Sequence, residues 1–393
     1  MHQSIKSINK TIKESALISV LIVMCYINNA SAIFAHDPVM AKEGSTYYVF
    51  YTGGLVNKVT STNMSSWTWN SSSTLSSASW WTDSVPANSG NDLWAPDISY
   101  RSGKWWMYYS VSSFGSNISA IGLATSTTLS NAAWTDKGCV IRSKSSNNYN
   151  CIDPGTFRDT TGKLWLVFGS FWNGIHIVEL DTSTGKPASS YTITQLAYHS
   201  TGVEGASLMK WKSYYYLFVS WDKCCNGVSS TYKIAYGRAT NVSGPYYNKA
   251  GNKMASGYGE LLDTGDASRI GPGGESIYIE NDTAVYLVNH YYATGTGTAT
   301  LQIRRIYFGD GWVSFTRTTP VNKQLEKNPV TKVANKTKFF YGSKTETDKM
   351  KKSASSNKSY KIFSISGKNV TDKFINYQQN SERVPDGIYI KVQ

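Results

Sequence analysis

The sequence predicts an all-β protein, a five-bladed β-propeller followed by a short β-rich tail module. Five runs rich in aromatic and β-branched residues recur along the chain and begin at residues 47, 105, 164, 214 and 283. The intervals between them, 58, 59, 50 and 69 residues, are in the range of one propeller blade. Polar turns such as Gly103-Lys104 and Gly162-Lys163 precede most runs, as antiparallel hairpins require. No helical periodicity of useful length competes with the β interpretation.

Residues 1–32 have the pattern of a secretory signal peptide. Three lysines precede an apolar stretch at 16–27, and Ala30-Ser31-Ala32 has the small residues typical of a cleavage site. The alternative is an N-terminal membrane anchor, but the stretch is shorter than the roughly 20 residues that a bilayer requires. No later segment is apolar enough to cross a membrane. We therefore expect a mature protein that starts near Ile33 and is secreted, either extracellular or attached to the cell surface.

The net charge of +13 is concentrated at the ends of the chain. Residues 321–393 carry 15 Lys+Arg and 6 Asp+Glu, whereas residues 33–320 carry 21 basic and 19 acidic residues. The main body is therefore nearly neutral, and it lacks the basic face that a phosphate backbone requires. We expect no nucleic-acid partner, and we expect a monomer.

The composition changes after residue 320. Residues 321–358 are rich in Lys, Ser, Thr and Asn and poor in hydrophobic residues, which predicts a basic linker. Residues 359–393 contain two strand-like runs, 360–368 and 387–392. This segment resembles the end of the C-terminal sorting domains that some Gram-negative bacteria use for secretion and surface attachment. The alternative is a small accessory β module that helps to bind polysaccharide.

The cysteines are too few for a disulfide scaffold once Cys25 leaves with the signal peptide. Cys139 and Cys151 could pair after export or remain as buried thiols. A bond between the neighbours Cys224 and Cys225 is not expected, because it would close a strained ring. No motif of a metal-hydrolase, a serine esterase or a nucleotide-binding loop occurs in the sequence.

Three carboxylates, Asp37, Asp153 and Glu204, recur about ten residues ahead of an aromatic run. The first strand of each propeller blade lines the central axis, so we expect the three to converge on one funnel. Cleavage of a glycosidic bond uses such groups, because one carboxylic acid protonates the leaving oxygen while a second carboxylate activates water or attacks the anomeric carbon. A third negative charge can keep the acid protonated. The alternative for each residue alone is a turn or capping role.

A set of ordered motifs extends through most of residues 33–315. They are His36-Asp37-Pro38, Leu93-Trp94-Ala95-Pro96-Asp97, and the segments 112–117, 150–154, 168–172, 222–225, 230–238 and 271–274. In this order they resemble the endo-arabinanases of glycoside hydrolase family 43. Members of that family type are five-bladed propellers that cut α-1,5-linked arabinan, a side chain of plant cell-wall pectin, with inversion.

The resemblance implies roles for individual residues. Asp37 would be the general base that activates water, Glu204 the general acid, and Asp153 the carboxylate that raises the pKa of the acid and orients it. Asp97 occupies the second blade's version of the catalytic position, and we expect it to have a structural or supporting role rather than a catalytic one. The residues expected to line the sugar subsites are Trp94, Phe114, Gly115, Asn150, Ser170, Phe171 and Trp172.

His290 matches the family histidine that holds a calcium ion in the central channel, mostly through waters. The alternative is a buried histidine of the core. Two positions depart from the family pattern: Ala293 stands where an Asp often closes the histidine motif, and Gly205-Ala206 replaces Ala-Pro after the acid. Two other functions are retained: an exo-acting arabinofuranosidase or β-xylosidase of the same family, and a non-catalytic glycan-binding propeller.

Overall fold

The five-bladed all-β fold is confirmed. The computed structural model describes residues 33–70, 73–130 and 134–316, together with three short strands of the tail. The predicted signal peptide lies outside the described residues, and so does the predicted linker except for Phe339–Phe340. The chain forms two compact units, 1–320 and 321–393. Within the described part of the chain, no helix is long and apolar enough to cross a membrane.

Each blade is an antiparallel sheet of four strands that follow one another in chain order. Blade 1 contains β1 (Val39–Glu43), β2 (Thr46–Tyr51), β3 (Asn57–Ser61) and β4 (Thr68–Asn70). Blade 2 contains β5 (Leu93–Arg101), β6 (Lys104–Val111), β7 (Ser119–Ser126) and β8 (Thr135–Ser143). Blade 3 contains β9 (Gly155–Arg158), β10 (Leu164–Phe168), β11 (Ile175–Leu180) and β12 (Thr194–Ala197). Blade 4 contains β13 (Val203–Trp211), β14 (Tyr214–Trp221), β15 (Lys233–Ala239) and β16 (Glu260–Asp263). Blade 5 contains β17 (Arg269–Asn281), β18 (Ala284–Ala293), β19 (Ala299–Gly309) and β20 (Trp312–Ser314).

Short elements connect or follow these strands. Among the described residues, an α-helix, Trp80–Ser84, lies between blades 1 and 2, and two 3-10 helices, Gly227–Ser229 and Met254–Ser256, lie in loops of blade 4. Residues just before blade 1 pair with β19 of blade 5 and so join the first and last blades. The N–H of Ala35 donates to the carbonyl of Ala299, and the N–H of Leu301 donates to the carbonyl of Ile33. The tail strands β21 (Phe339–Phe340), β22 (Tyr360–Ser364) and β23 (Ile388–Val392) form a separate sheet in the order β21-β23-β22.

The five aromatic runs form the second strand of each blade, and both faces of these strands are buried. In β2, Tyr48 and Phe50 pack in a core cluster with Met107 of blade 2, whereas Tyr47 and Val49 pack with Val288 of blade 5. Successive side chains of a strand point to opposite faces. A strand between two neighbouring blades therefore needs apolar residues on both faces, which explains why the runs are continuous rather than alternating.

The expectation for the neighbouring cysteines was wrong. The structure has a Cys224–Cys225 disulfide, while Cys139 and Cys151 are free. Both bonded residues lie in the loop after β14, where Cys225 adopts a left-handed φ of 67°. This backbone conformation curls the loop tightly, and a hydrogen bond of 2.8 Å from the Cys225 N–H to the Tyr292 hydroxyl holds it in place. The loop can therefore accommodate the small ring that a disulfide between neighbouring residues closes, which an extended segment could not.

Candidate active site

One backbone turn is repeated in all five blades, either just before the first strand of the blade or within that strand. The residues at this turn have left-handed φ values: Asp37 47°, Ala95 42°, Asp153 55°, Gly205 62° and Gly274 58°. Non-glycine residues rarely adopt this region, so its recurrence at non-glycine positions is a property of the fold. The turn also gives a structural register for the repeat, in which Asp37 and Asp153 occupy equivalent positions.

This register corrects two details of the sequence interpretation. Glu204 precedes the turn residue of its blade by one position, so it is equivalent to His36 rather than to Asp37. In blade 2 the turn position is Ala95, and Asp97 lies two residues later. Asp97 is therefore not the second blade's version of the catalytic position. Its Oδ2 accepts hydrogen bonds from the N–H (2.9 Å) and hydroxyl of Thr156, which ties blade 2 to blade 3.

The five turns surround a central cavity that is rich in carboxyl groups. Asp37, Asp97, Asp153 and Glu275 line it, one from each of blades 1, 2, 3 and 5, and Gly205 lines it beside Glu204 from blade 4. The predicted convergence of distant carboxylates therefore occurs in the structure. A second cavity, lined in part by Trp165 and Tyr191, contains none of the predicted site residues.

Asp37 lies among groups that stabilise its ionised form. Its Oδ2 accepts hydrogen bonds from Nδ1 of His36 (2.8 Å) and from the hydroxyl of Thr52 (2.7 Å). Burial alone would raise the pKa of Asp37, but the charge of His36 and these hydrogen bonds hold it below its ordinary value. Burial also lowers the pKa of His36, yet the neighbouring Asp37 carboxylate raises it overall. His36 and Asp37 are thus a half-buried pair in which each group favours the charged form of the other.

His290 lies beneath this pair and is completely buried. Its ring stacks on that of His36, with centroids 4.1 Å apart, and its Nδ1 accepts a 3.2 Å hydrogen bond from the main-chain N–H of Asp37. Nδ1 is also 3.7 Å from Oδ1 of Asp37. Burial and the charge of His36 keep the pKa of His290 well below its ordinary value, so the ring is neutral. Its Nε2 has no partner among the described residues.

Gly274 shows why the base pocket needs glycine in blade 5. A β-carbon at this position would collide with Oδ1 of Asp37 and would lie 2.8 Å from the ring of His290. These contacts involve the carboxylate that is predicted to act as the base and a buried ring, which have no room to move. The backbone of blade 5 can therefore approach the Asp37 pocket only with glycine at residue 274.

Glu204 has a different environment, made of hydroxyl groups and carboxylates. Its Oε2 accepts a 2.6 Å hydrogen bond from Ser170, and its Oε1 accepts one from the hydroxyl of Tyr232. Burial raises the pKa of Glu204, the two hydroxyl groups lower it, and the charge of Asp37 raises it again. The net shift is upward. This carboxyl group is therefore suited to remain protonated where Asp37 is ionised.

Asp153 links blade 3 to the strand that carries Glu204. Its Oδ2 accepts a 3.1 Å hydrogen bond from the N–H of Gly205, and its own N–H donates to the hydroxyl of Ser110 (2.9 Å). Burial raises its pKa well above the ordinary value, and the charges of Glu204 and Asp37 add to that effect. Repulsion of this kind is mutual, so an ionised Asp153 raises the pKa of Glu204 as well.

The residues predicted to line sugar subsites lie in loops at one end of the strands. Ser170, Phe171 and Trp172 follow β10, and Phe114 with Gly115 follows β6, which is the equivalent connection of blade 2. Among these, Ser170 directly contacts a predicted catalytic carboxylate. Phe114 and Trp172 are 85% and 42% exposed, so their aromatic faces are available to a ligand.

The two remaining predicted subsite residues are more enclosed. Asn150 is buried, and its amide nitrogen donates to the carbonyl of Ser116 (3.3 Å), while its Oδ1 has no partner among the described residues. Trp94 is half-buried, and its indole N–H donates to Asp92 (2.9 Å). It precedes the Ala95 turn, so it occupies the position that Glu204 has in blade 4.

Sequence reasoning missed several groups of the site: His36, Thr52, Tyr232 and Ser220. His36 and Tyr232 stand inside quoted motifs, and His36 is adjacent to Asp37, so their positions were a usable signal. Thr52 follows β2 and its hydroxyl both donates to Asp37 and accepts the N–H of Ala95 (2.8 Å). No local pattern distinguishes it from the many other threonines of the chain.

A buried ionised carboxylate and a second carboxyl group with raised pKa, at the mouth of a funnel with exposed aromatic rings, form the site of a glycoside hydrolase. The comparisons with known proteins agree. Residues 26–313 match the family "Glycosyl hydrolases family 43", and the chain belongs to that family.

Named relatives include both endo- and exo-acting enzymes. The chain is 48% identical over 292 residues to the extracellular endo-α-(1→5)-L-arabinanase 1 of Bacillus subtilis, covering 73% of this chain and 89% of the relative. It is 36% identical to the extracellular exo-α-(1→5)-L-arabinofuranosidase ArbA of Cellvibrio japonicus, covering 72% and 86%. A solved exo-1,5-α-L-arabinanase from a bovine ruminal metagenomic library is 40% identical with a TM-score of 0.69, covering 74% of this chain and 99% of that structure.

Proposed function

We propose that this protein hydrolyses internal α-1,5-L-arabinofuranosidic bonds of arabinan, with inversion at the anomeric carbon. The observation that carries the proposal is the opposite electrostatic environment of Asp37 and Glu204 within one funnel. Asp37 is held ionised by His36, whereas Glu204 is biased toward its protonated form. Hydrolysis of a glycosidic bond by a single attack of water requires one base and one acid.

The reaction follows from these two protonation states. The Asp37 carboxylate accepts a proton from a water molecule as the water oxygen attacks the anomeric carbon. Glu204 donates its proton to the glycosidic oxygen as the bond to that oxygen breaks. One attack on one face inverts the configuration, and the site returns to its starting state when the two carboxyl groups exchange protons with solvent.

Asp153 acts through Glu204 in this scheme. Its hydrogen bond to the N–H of Gly205 fixes the main chain next to the acid, and its proximity disfavours a second negative charge on Glu204. Ser170 and Tyr232 hold the two oxygens of Glu204 from the other side. The acid is therefore oriented by hydrogen bonds and kept protonated by a neighbouring carboxyl group.

Endo action is favoured over exo action by two observations. Identity to the B. subtilis enzyme, whose name specifies endo activity, is 48%, against 36% and 40% for the two exo-acting relatives. The high exposure of Phe114 also shows that no described loop covers this ring at the funnel rim. Exo action is the second candidate, since exo-acting relatives match the same residues of this chain.

We also propose that His290 holds a calcium ion in the central channel. Its buried Nε2 lacks a partner among the described residues, and Oδ1 of Asp37 lies 3.7 Å from Nδ1. In the structure Nδ1 accepts the N–H of Asp37, which leaves the ring proton on Nε2. Binding of a cation at Nε2 would require this proton to move to Nδ1, where it would face Oδ1 of Asp37, as in carboxylate–histidine–metal arrangements. Calcium prefers oxygen ligands, so waters would supply the remaining positions. Its charge would offset part of the repulsion between the carboxylates.

A metal analysis tests this second proposal. Calcium content and the melting temperature would be measured for the wild type and for His290→Gln, before and after chelation. We expect stoichiometric calcium and a chelator-dependent fall in melting temperature for the wild type alone. A wild-type protein that lacks calcium after purification in calcium buffer, and does not respond to chelation, would contradict it.

The localisation and assembly follow as further proposals. Both curated relatives cited above are named extracellular enzymes, and we propose that this protein is also secreted, through residues 1–32, and acts as a monomer. We propose that the 321–393 unit serves export or surface attachment. Fractionation of the native host and light scattering of the purified protein would test these points.

Product chromatography tests the main proposal. The protein would be incubated with linear debranched arabinan and, separately, with a nitrophenyl arabinofuranoside, with Asp37→Asn as the inactive control. A ladder of short arabino-oligosaccharides and little release of nitrophenol are expected. Arabinose as the sole early product would replace endo by exo action. Retarded migration in arabinan gels without any product would indicate a binding protein.

A further inference from the structure

Glu275 is a buried carboxyl group that the proposed mechanism does not use. It belongs to β17 in blade 5, is 5% exposed and lines the central cavity. Its Oε2 accepts a 2.7 Å hydrogen bond from the hydroxyl of Ser220, and its Oε1 has no partner among the described residues. A carboxyl group in such a position requires an explanation, because burial without compensation is costly.

Ser220 connects Glu275 to both halves of the active site. Its hydroxyl donates to Glu275 and accepts a 2.9 Å hydrogen bond from the N–H of Gly274, the residue that packs against Asp37. Ser220 is also the direct cross-strand partner of Glu204 in the β13–β14 ladder. The Glu275–Ser220 pair therefore lies between the strand that carries the acid and the turn that shapes the pocket of the base.

We propose that Glu275 is an uncharged positioning residue of the active site, which holds Ser220 between the strand of the general acid and the Gly274 turn. This inference rests on the proposed function for its catalytic consequence. It identifies a further carboxyl group of the funnel, beside Asp37, Asp97, Asp153 and Glu204, whose role requires its proton rather than its charge.

The surroundings of Glu275 favour the neutral form. Carboxyl groups line the same cavity from Asp37, Asp97 and Asp153, and Glu204 lies on the neighbouring strand β13. The basic groups of the site, His36 and His290, contact Asp37. Within the described part of the chain, no lysine or arginine forms an ion pair with Glu275.

The hydrogen-bond count agrees with a protonated group. Ser220 has one hydroxyl proton, and it is directed to Oε2 of Glu275, since the other interaction of that hydroxyl is with an N–H donor. Oε1 receives no donor among the described residues, so a negative charge on Glu275 would be stabilised by a single side-chain hydrogen bond. Burial, reinforced by the charges of Asp37 and Glu204, raises the pKa of Glu275 to about 8 despite the hydrogen bond of Ser220.

The proposal is tested with three variants. Glu275→Gln preserves size, the acceptor for Ser220 and the absence of charge. Glu275→Ala removes the acceptor, and Ser220→Ala removes the donor. At pH 6 on linear arabinan, we expect kcat of Glu275→Gln within about threefold of the wild type, and a fall of roughly tenfold or more for the two alanine variants, with KM nearly unchanged. Equal losses for Gln and Ala would show that the charge is needed, and full activity of Glu275→Ala would remove the positioning role.

Stability as a function of pH gives a readout that is independent of activity. Below about pH 4.5 the carboxyl group is protonated in both folded and unfolded chains. Between about 4.5 and 8 the unfolded chain releases the proton while the folded protein retains it, so wild-type stability falls as pH rises. Glutamine does not titrate. In calcium-free protein, after treatment with a chelator, the melting temperature of Glu275→Gln should therefore equal that of the wild type near pH 4.5 and exceed it increasingly toward pH 8.

The control is Glu179→Gln, a half-exposed carboxylate paired with Lys163, which should show no such divergence. A Glu275→Gln protein that is less stable than the wild type at every pH would overturn the proposal. If the wild type releases no arabino-oligosaccharides, the proposed function fails, but the melting comparison still decides whether Glu275 is uncharged.

Discussion

Asp37 in blade 1 and Glu204 in blade 4 lie at almost the same point of a repeated turn, yet their environments favour opposite protonation states. Asp37 has an imidazolium partner in His36 and a hydroxyl donor in Thr52. Glu204 has hydroxyl donors, Ser170 and Tyr232, but no cation in direct contact among the described residues. Burial raises the pKa of both groups, so it does not distinguish them; the neighbouring charges do.

The difference between Asp37 and Glu204 shows how one repeated turn can give two carboxyl groups opposite protonation preferences. The fold provides one backbone turn five times, with left-handed φ in each blade. The identity of the neighbours then determines whether a carboxyl group at the turn is ionised or protonated. His36 precedes the turn residue of blade 1, and Glu204 precedes the turn residue of blade 4. The position of the histidine that contacts Asp37 is therefore occupied by Glu204 in blade 4.

The largest expected effect comes from removing either catalytic group. Asp37→Asn and Glu204→Gln should each lower kcat on arabinan by roughly 10³-fold or more while the melting temperature stays near that of the wild type. An arabino-oligosaccharide with a nitrophenyl leaving group separates the two roles. Nitrophenolate leaves without a proton, so Glu204→Gln should recover much of its activity on it, whereas Asp37→Asn should not. Recovery by the Asp37 variant alone would reverse the assignment.

Asp153→Asn should have the next largest effect, a loss of about ten- to hundredfold in kcat. Asp153 and Glu204 form a coupled pair, in which an ionised Asp153 would raise the pKa of Glu204. The substitution removes that charge. Because Glu204 must be protonated to act, the basic limb of the kcat profile should move to lower pH. The measurement is kcat between pH 4 and 9 on linear arabinan. A basic limb that stays where it is in the wild type would argue against the role of Asp153 in keeping Glu204 protonated.

The blades and the main carboxylates could be predicted from the sequence because their signals are local. An aromatic strand buried on both faces is visible as a continuous run, and Asp37 and Asp153 each precede Pro in a short motif. The exact register was less accessible, since Glu204 and Asp97 are each displaced from the turn position that the structure defines. A difference of one or two residues cannot be seen in a repeat whose intervals vary by nearly twenty.

The hydroxyl groups that tune the site could not be predicted, for a physical reason. Thr52 and Tyr232 act through contacts that depend on how strands of the propeller pack, and their residue types are common throughout the chain. The Cys224–Cys225 bond was excluded by a general argument about ring strain that did not consider the curl of the loop at Cys225. Glu275 gave no signal, because a single Glu in a strand has no motif around it.

A change on the base side should affect the acidic limb of the pH profile. His36→Gln keeps a hydrogen-bond donor for Asp37 but removes the positive charge that lowers its pKa. The pKa of Asp37 should rise, and the base must be ionised, so the acidic limb of kcat/KM should move to higher pH. At neutral pH the loss should be about tenfold, and it should be larger at pH 5. An unshifted acidic limb would show that the Thr52 hydroxyl, rather than His36, keeps Asp37 ionised.

The smallest effect is expected on the acid side, from Tyr232→Phe. The hydroxyl of Tyr232 stabilises the ionised form of Glu204, so its loss should raise the pKa of the acid further and move the basic limb of kcat to higher pH. This shift is opposite in direction to that of Asp153→Asn, and it affects the opposite limb from His36→Gln. Ser170 still orients Glu204, so kcat at pH 6 should fall only several-fold.

Ser170→Ala is the matched control, because it removes the other hydroxyl and should move the same limb in the same direction. If Tyr232→Phe moved the basic limb to lower pH instead, the hydroxyl would be favouring the protonated acid, and the contrast between the two carboxyl groups would need a different physical cause.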